Sequence, residues 1–240
     1  MTGLGETMIG NRKVIAIIPA RGGSKRLPGK NLRLLNGIPL LVYSITAAQR
    51  CRKIDDIMVS TDSGEIAAIA LEHGVEVDIR SEELSSDTAS TVDVVKDLLT
   101  RVAGYDVCVI LQPTSPLRDV EDINGSLVRF EEKSADSIIS VCKAEHPPQW
   151  TNTIGLNGEM DSFLDQRDKD IPSQKLGDYY RLNGAIYCYS VPRLLAGDTA
   201  FFDTKTFAFV MPQNRSVDID TYDDFEMAEY YLLKSIAEKS

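Results

Sequence analysis

The sequence predicts an α/β fold: a three-layer, doubly wound and mainly parallel sheet with a small additional arm. Strand-like apolar runs and helix-like amphipathic segments alternate up to about residue 143, which favours parallel strands with helices on both faces. The first run, Val14 to Ile18, is continuously apolar, as in a strand buried on both faces. Loops at 19–31, 85–90 and 112–118 follow strands, where such sheets bind their ligands.

The predicted elements follow one another in a regular order. Pro39 suits the first turn of the first helix, and Gly74 ends the second. Thr221, with Asp224 three residues later, predicts a capped start for the last helix. Strands are predicted at residues 14–18, 57–60, 75–79, 107–111, 137–141, 185–190 and 207–211, and helices at 40–50, 65–73, 92–102, 122–133 and 221–236.

The alternation stops near residue 144. Residues 144–182 contain His146-Pro147-Pro148, scattered charges and few periodic apolar positions, so we expect an excursion from the sheet that serves as a lid or a dimerisation arm. We therefore predict one domain over residues 14–240 that includes this excursion. A flexible lead-in is expected at residues 1–13.

Composition excludes several classes of function. The chain has 240 residues and a formal net charge of −10, which disfavours binding to nucleic acid or to an anionic membrane. No segment approaches the roughly 18–20 apolar residues of a membrane span, and the first 13 residues lack the apolar centre of a secretory signal. Scattered cysteines predict buried thiols in a reducing cytoplasm; they are Cys51, Cys108, Cys142 and Cys188.

A basic, glycine-containing loop follows the first strand. Its two glycines, Gly22 and Gly23, allow backbone N–H groups to approach a ligand closely. Four cations within ten residues of an otherwise acidic chain suit an anion, most simply a polyphosphate; they are Arg21, Lys25, Arg26 and Lys30. The loop matches neither the Walker A nor the GxGxxG pattern. The structural alternative is a solvated basic turn.

Two acids, Asp218 and Asp220, stand just before the last predicted helix. Alternate residues of an extended segment point the same way, so the two carboxylates would project together. Such a pair suits Mg²⁺, which shares its coordination shell with substrate phosphates. The alternative is two surface acids that favour the start of the helix.

Three further segments carry polar groups that could contact a substrate. Gln112 lies in Leu111-Gln-Pro-Thr-Ser-Pro-Leu-Arg118 and can donate and accept hydrogen bonds, although a rigid turn is the alternative. The hydroxyls of residues 86–90 could serve a nucleotide or cap the following helix. The segment 180–187, together with Phe201 and Phe202, combines a cation, an amide and aromatic rings, as a carboxylated sugar would require; core aromatics are the alternative.

Read together, these motifs resemble the CMP-sialic acid synthetases, also called N-acylneuraminate cytidylyltransferases. The segments IIPARGGSKRLPGKN, VSTD, SDTAS, LQPTSPLR, RLNGAIY and SVDIDT occur in the family's order between about residues 14 and 232. The resemblance implies the nucleotide-diphospho-sugar transferase-like fold. It also implies transfer of CMP from CTP to the anomeric hydroxyl of a nine-carbon 2-keto acid sugar, with Mg²⁺ and release of pyrophosphate.

The resemblance also assigns residues. It implies catalytic roles for Arg21, Lys30 and Asp220, and Mg²⁺ ligation by Asp218 and Asp220. Nucleotide-binding residues would be Ala20, Arg21, Gly22, Ser24, Lys30, Asn31, Ser90 and Gln112, and sugar-binding residues Gln112, Arg181, Asn183, Tyr187, Phe201 and Phe202. Members of the family are homodimers in which the irregular arm helps to close the partner's site.

The sequence departs from the sialate-specific pattern in the arm. Gln149 and Trp150 stand where some members have a lysine, and Ser173 replaces an arginine before Gln174. Legionaminate and pseudaminate are therefore alternative sugars, and Arg167 or Lys175 could compensate. Other readings are a Kdo or other sugar nucleotidyltransferase, a retaining glycosyltransferase of similar fold, and a nucleotide-binding protein without catalysis.

Overall fold

A computed structural model describes residues 10, 12–24, 26–86, 89–161, 163–164, 177–197 and 202–238. Seven strands form its main sheet in the order β5-β4-β1-β6-β8-β7-β9, and β2 and β3 form a separate hairpin. The strands are β1 (Val14–Pro19), β2 (Leu34–Leu35), β3 (Ile38–Pro39), β4 (Asp56–Thr61), β5 (Glu76–Ile79), β6 (Val107–Leu111), β7 (Ser137–Lys143), β8 (Tyr180–Ser190) and β9 (Thr206–Met211).

The sheet is parallel except at one strand. The strands β5, β4, β1 and β6 pair in parallel, as do β7 and β9. Strand β8 is antiparallel to both β6 and β7. The mainly parallel sheet predicted from the alternating pattern is confirmed. The reversed strand was not predicted, because an apolar run carries no information about strand direction.

Helices cover both faces of the sheet and complete the three layers. On one face α1, α2 and α5 bury side chains such as Ile45, Ile66 and Leu127 against the sheet. On the other face α4 and α6 bury Leu98 and Leu194. The helices are α1 (Leu40–Gln49), α2 (Gly64–Glu72), α3 (Glu82–Ser85), α4 (Thr91–Arg101), α5 (Val120–Glu132), α6 (Val191–Leu195) and α7 (Tyr222–Ala237).

A third apolar cluster joins the basic loop to the C-terminal acidic segment. Leu27 of the loop and Ile219 of the acidic segment are both fully buried in this cluster, beneath α7. Thr221 caps α7, with Asp224 completing the capping box, as predicted. Apolar packing therefore holds two distant parts of the sequence side by side at one edge of the sheet.

The chain leaves the sheet after β7, as expected for residues 144–182, but it returns earlier. Residues 180–182 already pair with β7 as the start of β8, so the excursion ends at residue 179. Its stem is closed by a hydrogen bond from Ala144 N to Tyr179 O (2.8 Å) and by the ion pair of Lys143 with Asp178 (2.6 Å). The described part of the excursion contains one short 3₁₀ turn, Pro148–Trp150.

Most predicted boundaries lie within two residues of those observed, and the small elements β2, β3, α3 and α6 were missed. Pro39 closes β3 and precedes α1 as its N-cap rather than lying within the first turn. None of the described helices is both long and apolar enough to cross a membrane.

Candidate active site

A polar cleft of about 260 Å³ opens at the carboxyl ends of β1, β5 and β6. The basic loop forms one wall, and the segments around residues 84–94 and 112–114 form the others. The polar side chains that line it include Arg21, Ser24, Lys30, Asn31, Arg80 and Gln112. The structure thus brings together five of the predicted nucleotide-binding residues and adds Arg80.

Hydrogen bonds between side chains and backbone groups hold the basic loop in place. Asn31 donates a hydrogen bond from Nδ2 to Arg21 O (2.9 Å). The N–H of Gly22 donates to Asp62 Oδ1 (2.7 Å), and a Cβ at Gly22 would lie 2.9 Å from the Cβ of Ser63. Glycine is needed here for this close approach, and the neighbouring Gly23 is the glycine that lines the cleft.

Two residues that were predicted to bind the nucleotide, Ala20 and Gly22, form backbone hydrogen bonds within the protein. The N–H of Ala20 donates to Ser60 O (2.9 Å), and Ala20 is fully buried. The N–H of Gly22 is used by Asp62. In this arrangement both residues shape the loop, and both backbone donors are used within the protein.

The cationic loop and the acid pair meet in space. Lys30 Nζ donates hydrogen bonds to Asp220 Oδ1 (2.9 Å) and to Ile219 O (2.7 Å). Arg26 lies 2.9 Å from the other oxygen of Asp220. Lys30 is nearly buried, with 13% of its side chain exposed, whereas Arg26 is exposed. The predicted convergence of the basic loop with the paired acids is what the structure shows; Lys25 lies outside the described residues.

Asp218 lies beside this contact and is incompletely satisfied. Its Oδ1 is shielded from solvent and has no hydrogen-bond partner among the described residues. Its backbone neighbour across the site is Gly184, whose φ is +72°; a Cβ at that position would lie 3.2 Å from Asp218 Oδ2 and 3.6 Å from Gln112 Oε1. Glycine at 184 thus permits both this backbone conformation and the close approach of the two side chains.

The electrostatics of the acid pair suit a hard cation. Burial raises the pKa of Asp218, and the nearby charge of Asp220 raises it further, against the opposing effects of the Thr114 hydroxyl and Lys30. A divalent cation would satisfy the unpartnered Oδ1 and relieve this repulsion. No group of three or more potential ligands from His, Cys, Asp and Glu occurs in the described chain, so Mg²⁺ would need further ligands from phosphate or water.

Arg80, which the sequence analysis missed, lines the cleft next to the basic loop. Its Nη2 donates to Ser60 O (2.7 Å) and its Nε to Ser60 Oγ (3.0 Å). Burial lowers its pKa, but an arginine remains charged at neutral pH. A signal was present in the sequence, because Arg80 directly follows the predicted strand 75–79 at the ligand-binding edge.

Ser90 caps a helix instead of lining the cleft. Its Oγ accepts a hydrogen bond from Asp93 N (3.1 Å) and donates to Asp93 Oδ2 (2.7 Å) at the start of α4. This is the capping alternative considered for the segment 86–90. Ser86, Ala89 and Thr91 line the cleft at this place.

The loop after β6 is fixed by a buried arginine. Arg118 is 2% exposed and donates from Nη1 to Ala185 O (2.9 Å) and Gln112 O (3.2 Å), and from Nη2 to Ser44 Oγ (2.6 Å). These hydrogen bonds tie α1 and β8 to Gln112, which lines the cleft. Arg118 is the last residue of the motif Leu111–Arg118, but the sequence pattern indicates no role for it.

A second, more apolar cavity of about 230 Å³ borders the cleft and shares Thr91 and Gln112 with it. Tyr187 and Phe202, two of the predicted sugar-binding residues, line this cavity. Burial raises the pKa of Tyr187, so its hydroxyl stays protonated and can donate. Phe201 lies outside the described residues.

The remaining predicted sugar contacts have protein partners. Arg181 forms an ion pair with Glu145 (3.1 Å) at the stem of the arm. Asn183 is 1% exposed; its Nδ2 donates to Ser216 Oγ (2.9 Å) and its Oδ1 accepts from Ser140 Oγ (2.6 Å). Both lie on β8 outside the lining of the two cavities, and Asn183 holds the acidic segment from behind.

A glycine-flanked cationic loop that faces paired acids at the carboxyl edge of a mainly parallel sheet defines a nucleotide-binding α/β enzyme of the nucleotidyltransferase class. The chain belongs to the cytidylyltransferase family, whose sequence profile matches residues 15–231.

Several curated relatives cover most of the chain. The CMP-N,N'-diacetyllegionaminic acid synthase of Legionella pneumophila is 35% identical over 222 residues, which are 90% of this chain and 95% of that protein. The N-acylneuraminate cytidylyltransferase of Streptococcus agalactiae is 37% identical over 89% of this chain, which spans only 52% of that longer protein. The pseudaminic acid cytidylyltransferase of Campylobacter jejuni is 31% identical, over 90% of this chain and 95% of that protein.

Solved structures support the same fold. A CMP:2-keto-3-deoxy-manno-octonic acid synthetase in complex with CTP superposes with a TM-score of 0.70 at 16% identity, over 93% of this chain and 99% of that one. A 4-diphosphocytidyl-2C-methyl-D-erythritol synthase from Anaerococcus prevotii gives 0.65 at 15% identity, over 94% of this chain and 98% of that one. The predicted nucleotide-diphospho-sugar transferase-like fold is thereby confirmed.

Proposed function

We propose that the protein transfers CMP from CTP to the anomeric hydroxyl of a nine-carbon acidic sugar, an N-acylneuraminate or a close relative, and releases pyrophosphate. The observation that supports this proposal is the contact of Lys30, which lines the cleft, with Asp220 (2.9 Å), because it brings the acid pair next to the basic loop. The relatives named for N-acylneuraminate, legionaminate and pseudaminate chemistry support the choice of sugar class.

The cleft would take CTP. Arg21 and Lys30 offer positive charge to the triphosphate, and Ser24 and Asn31 lie on the same wall. Arg80 and Gln112, which also line the cleft, carry donors that suit the ribose or the base. Ser90 would act indirectly, because it caps the start of α4 beside the cleft.

Asp218 and Asp220 would hold the Mg²⁺ ion. When bound, the ion would lower the pKa of the sugar's hydroxyl and neutralise charge on the phosphate. The unpartnered Oδ1 of Asp218 and the half-exposed carboxylate of Asp220 provide oxygen ligands of the kind that Mg²⁺ requires.

The transfer balances as a single displacement at phosphorus. The anomeric oxygen forms a bond to the α-phosphorus, and the bond from that phosphorus to the oxygen bridging to the β-phosphate breaks. Pyrophosphate leaves with the electron pair, and the proton of the hydroxyl passes to water. Arg21 and Lys30 offset the negative charge that grows on the leaving group, and Gln112 orients the sugar between the two cavities.

A substrate matrix tests the proposal. Each of the four nucleoside triphosphates is incubated with sialic, legionaminic, pseudaminic and eight-carbon Kdo acids, and pyrophosphate release and the nucleotide sugar are measured. We expect product only with CTP and a nine-carbon acid. A chelator should abolish product formation, and added Mg²⁺ should restore it. Product with Kdo alone, or with a different nucleotide, would establish the alternative nucleotidyltransferase. Binding of CTP without turnover of any acid would establish a non-catalytic protein.

We also propose a homodimer in the cytoplasm. Large apolar side chains of the arm are exposed in the single chain, as a surface covered by a second copy would be; they are Trp150, Ile154, Leu156 and Met160. The four free cysteines are buried, which suits a reducing compartment. Light scattering should give twice the mass of one 26.5 kDa chain. A monomer of full activity would contradict the dimer.

A further inference from the structure

The two cavities of the site differ sharply in chemistry. The nucleotide cleft is lined by cations, amides and hydroxyls. The second cavity is lined mostly by side chains without polar atoms; they are Val92, Ile110, Ile139, Leu182 and Phe202. Its described polar lining comes from Thr91, Gln112, Tyr187 and Tyr189.

We propose that this apolar cavity receives the distal end of the acidic sugar and selects a deoxygenated, acylated sugar over one with a hydroxylated tail. The inference rests on the proposed function and specifies its substrate. The preferred sugar carries acylamido groups and a terminal methyl group where a sialic acid carries a glycerol chain.

The orientation of the sugar follows from the position of Gln112. Asp218 Oδ2 and Gln112 Oε1 both lie within 3.6 Å of the Cβ position at Gly184, so they flank the same spot. Because Asp218 is a proposed Mg²⁺ ligand, the proposal puts the reacting centre, and with it the anomeric hydroxyl, at this spot. Because Gln112 also lines the apolar cavity, the carbons farthest from the reacting centre extend into that cavity.

The lining then decides which tail is favourable. A hydroxyl that is buried among Val92, Ile110 and Ile139 loses its hydrogen bonds to water and finds no replacement. A methyl or acetyl group gains from the same burial. Leu182 and Phe202 are 50% and 72% exposed, so an acylated tail would cover apolar surface that is now in contact with water.

The polar atoms of the cavity suit amides better than a chain of hydroxyls. Tyr187 can donate to an acyl oxygen, and Gln112 can accept from an amide N–H. The Tyr187 and Tyr189 rings are nearly parallel, with centroids 6.4 Å apart, and both line the cavity, where they add apolar ring surface. An apolar pocket discriminates against one added hydroxyl by up to about a hundredfold, so the preference should lie between about ten- and a hundredfold.

The experiment uses a matched pair of sugars, N-acetylneuraminate and its 9-deoxy derivative, which differ by one hydroxyl. The diacetylated, 9-deoxy sugar of legionaminate configuration is the third substrate, and kcat/KM is measured at saturating CTP and Mg²⁺. We expect both deoxy sugars to exceed N-acetylneuraminate by about ten- to a hundredfold. Equal or higher kcat/KM for N-acetylneuraminate would overturn the inference while leaving the proposed function intact. No turnover of any acidic sugar would overturn both.

A nearly isosteric variant tests whether this cavity causes the preference. Val92→Thr adds one hydroxyl to the lining at the start of α4, and we expect it to narrow the deoxy preference several-fold without changing the KM for CTP. Val128→Thr, at an exposed position of α5, is the matched control and should leave the ratio unchanged. A ratio that Val92→Thr does not alter would show that the tail binds elsewhere and would overturn the inference.

Discussion

Two aspartates that are shielded from solvent, the buried Asp122 and the partly buried Asp218, are treated in opposite ways. Asp122, at the start of α5, accepts from Arg215 Nε (2.9 Å) and Nη2 (2.7 Å) and from Asp119 N (3.1 Å). Asp218 keeps one shielded oxygen without a partner among the described residues. Burial raises the pKa of both acids.

The short segment from Arg215 to Asp218 explains the contrast. Arg215, in the short turn Gln213–Arg215, anchors the chain to α5 through Asp122, and three residues later Asp218 enters the site. The ion pair of Arg215 with Asp122 fixes the position of the segment. Asp218 keeps an oxygen available for a ligand. Incomplete pairing at one end of a firmly anchored segment therefore coincides with the place where we propose that the chemistry occurs.

The largest expected effect is on turnover at the unsatisfied end. Asp220→Ala should lower kcat by about 10²–10³-fold, because it removes a charge positioned for the transfer. Its carboxylate is 41% exposed, but its partner Lys30 is nearly buried and keeps its hydrogen bond to Ile219 O, so the free energy of unfolding should fall by about 1–3 kcal/mol. Pyrophosphate release and urea unfolding measure the two quantities. Asp223→Ala, an exposed acid on α7, is the control, and near-native turnover of Asp220→Ala would remove Asp220 from the mechanism.

The next effect is on stability at the satisfied end. Arg215→Met leaves Asp122 buried without its cation, and the unfolding free energy should fall by about 3 kcal/mol, the lower range for a buried pair because Arg215 is partly exposed. Arg193→Met breaks contacts with Asp136 and Asp203 on the surface and should cost less than about 1 kcal/mol.

The loss in Arg215→Met should also depend on pH. Burial raises the pKa of Asp122, so the folded protein binds this proton more tightly than the unfolded chain, and stability falls as the pH rises through that range. Without Arg215 the ionised form is less favourable still. Urea unfolding at about pH 5 and pH 8 should therefore show a deficit that grows with pH; a deficit independent of pH would mean that packing, not charge, is lost.

A smaller effect is expected for Arg118, the buried arginine that fixes the loop after β6. Arg118→Lys keeps the charge but cannot reach Ala185, Gln112 and Ser44 together. We expect kcat to fall about tenfold through misplacement of Gln112, with less change in the KM for CTP. Ser44→Ala removes one partner only and should have a weaker effect in the same direction. A fall in stability with unchanged kcat would assign Arg118 to folding alone.

The smallest effect is the most direct test of the comparison, because one substitution should have opposite signs at the two acids. Asp218→Asn removes a buried charge that Asp220 repels, so the melting temperature in metal-free buffer at neutral pH should rise slightly, although activity is lost. Asp122→Asn removes the buried one of the two carboxylates that Arg215 contacts and should lower the melting temperature. Thermal unfolding of both variants checks this, and shifts of the same sign would refute the contrast.

The sequence predicts the layers and the meeting of the two charged segments because both follow from local patterns. Alternating apolar runs specify the strands, and the loops after them must lie at one edge. The roles of Ala20, Gly22 and Ser90 were not accessible in this way. The partners of Ala20 and Gly22, Ser60 and Asp62, lie about 40 residues away in the sequence.

Ser90 and Arg80 show the two kinds of residue that pattern alone leaves undecided. A serine before a helix can cap it or face a ligand, and only the side-chain orientation selects the cap. Arg80 stood at a predicted strand end, but a single arginine carries no distinctive spacing. The direction of β8 was likewise undetermined, since antiparallel and parallel buried strands share the same composition.

The contact of Lys30 and Arg26 with Asp220 has a consequence for the order of assembly. Both oxygens of this carboxylate are held by protein cations, which would compete with the proposed metal ion for the same lone pairs. A triphosphate that attracts these cations releases the carboxylate, so nucleotide and metal should strengthen each other's binding by the same factor. Lys30 and Arg26 would thus act as internal counterions of Asp220 until a nucleotide displaces them.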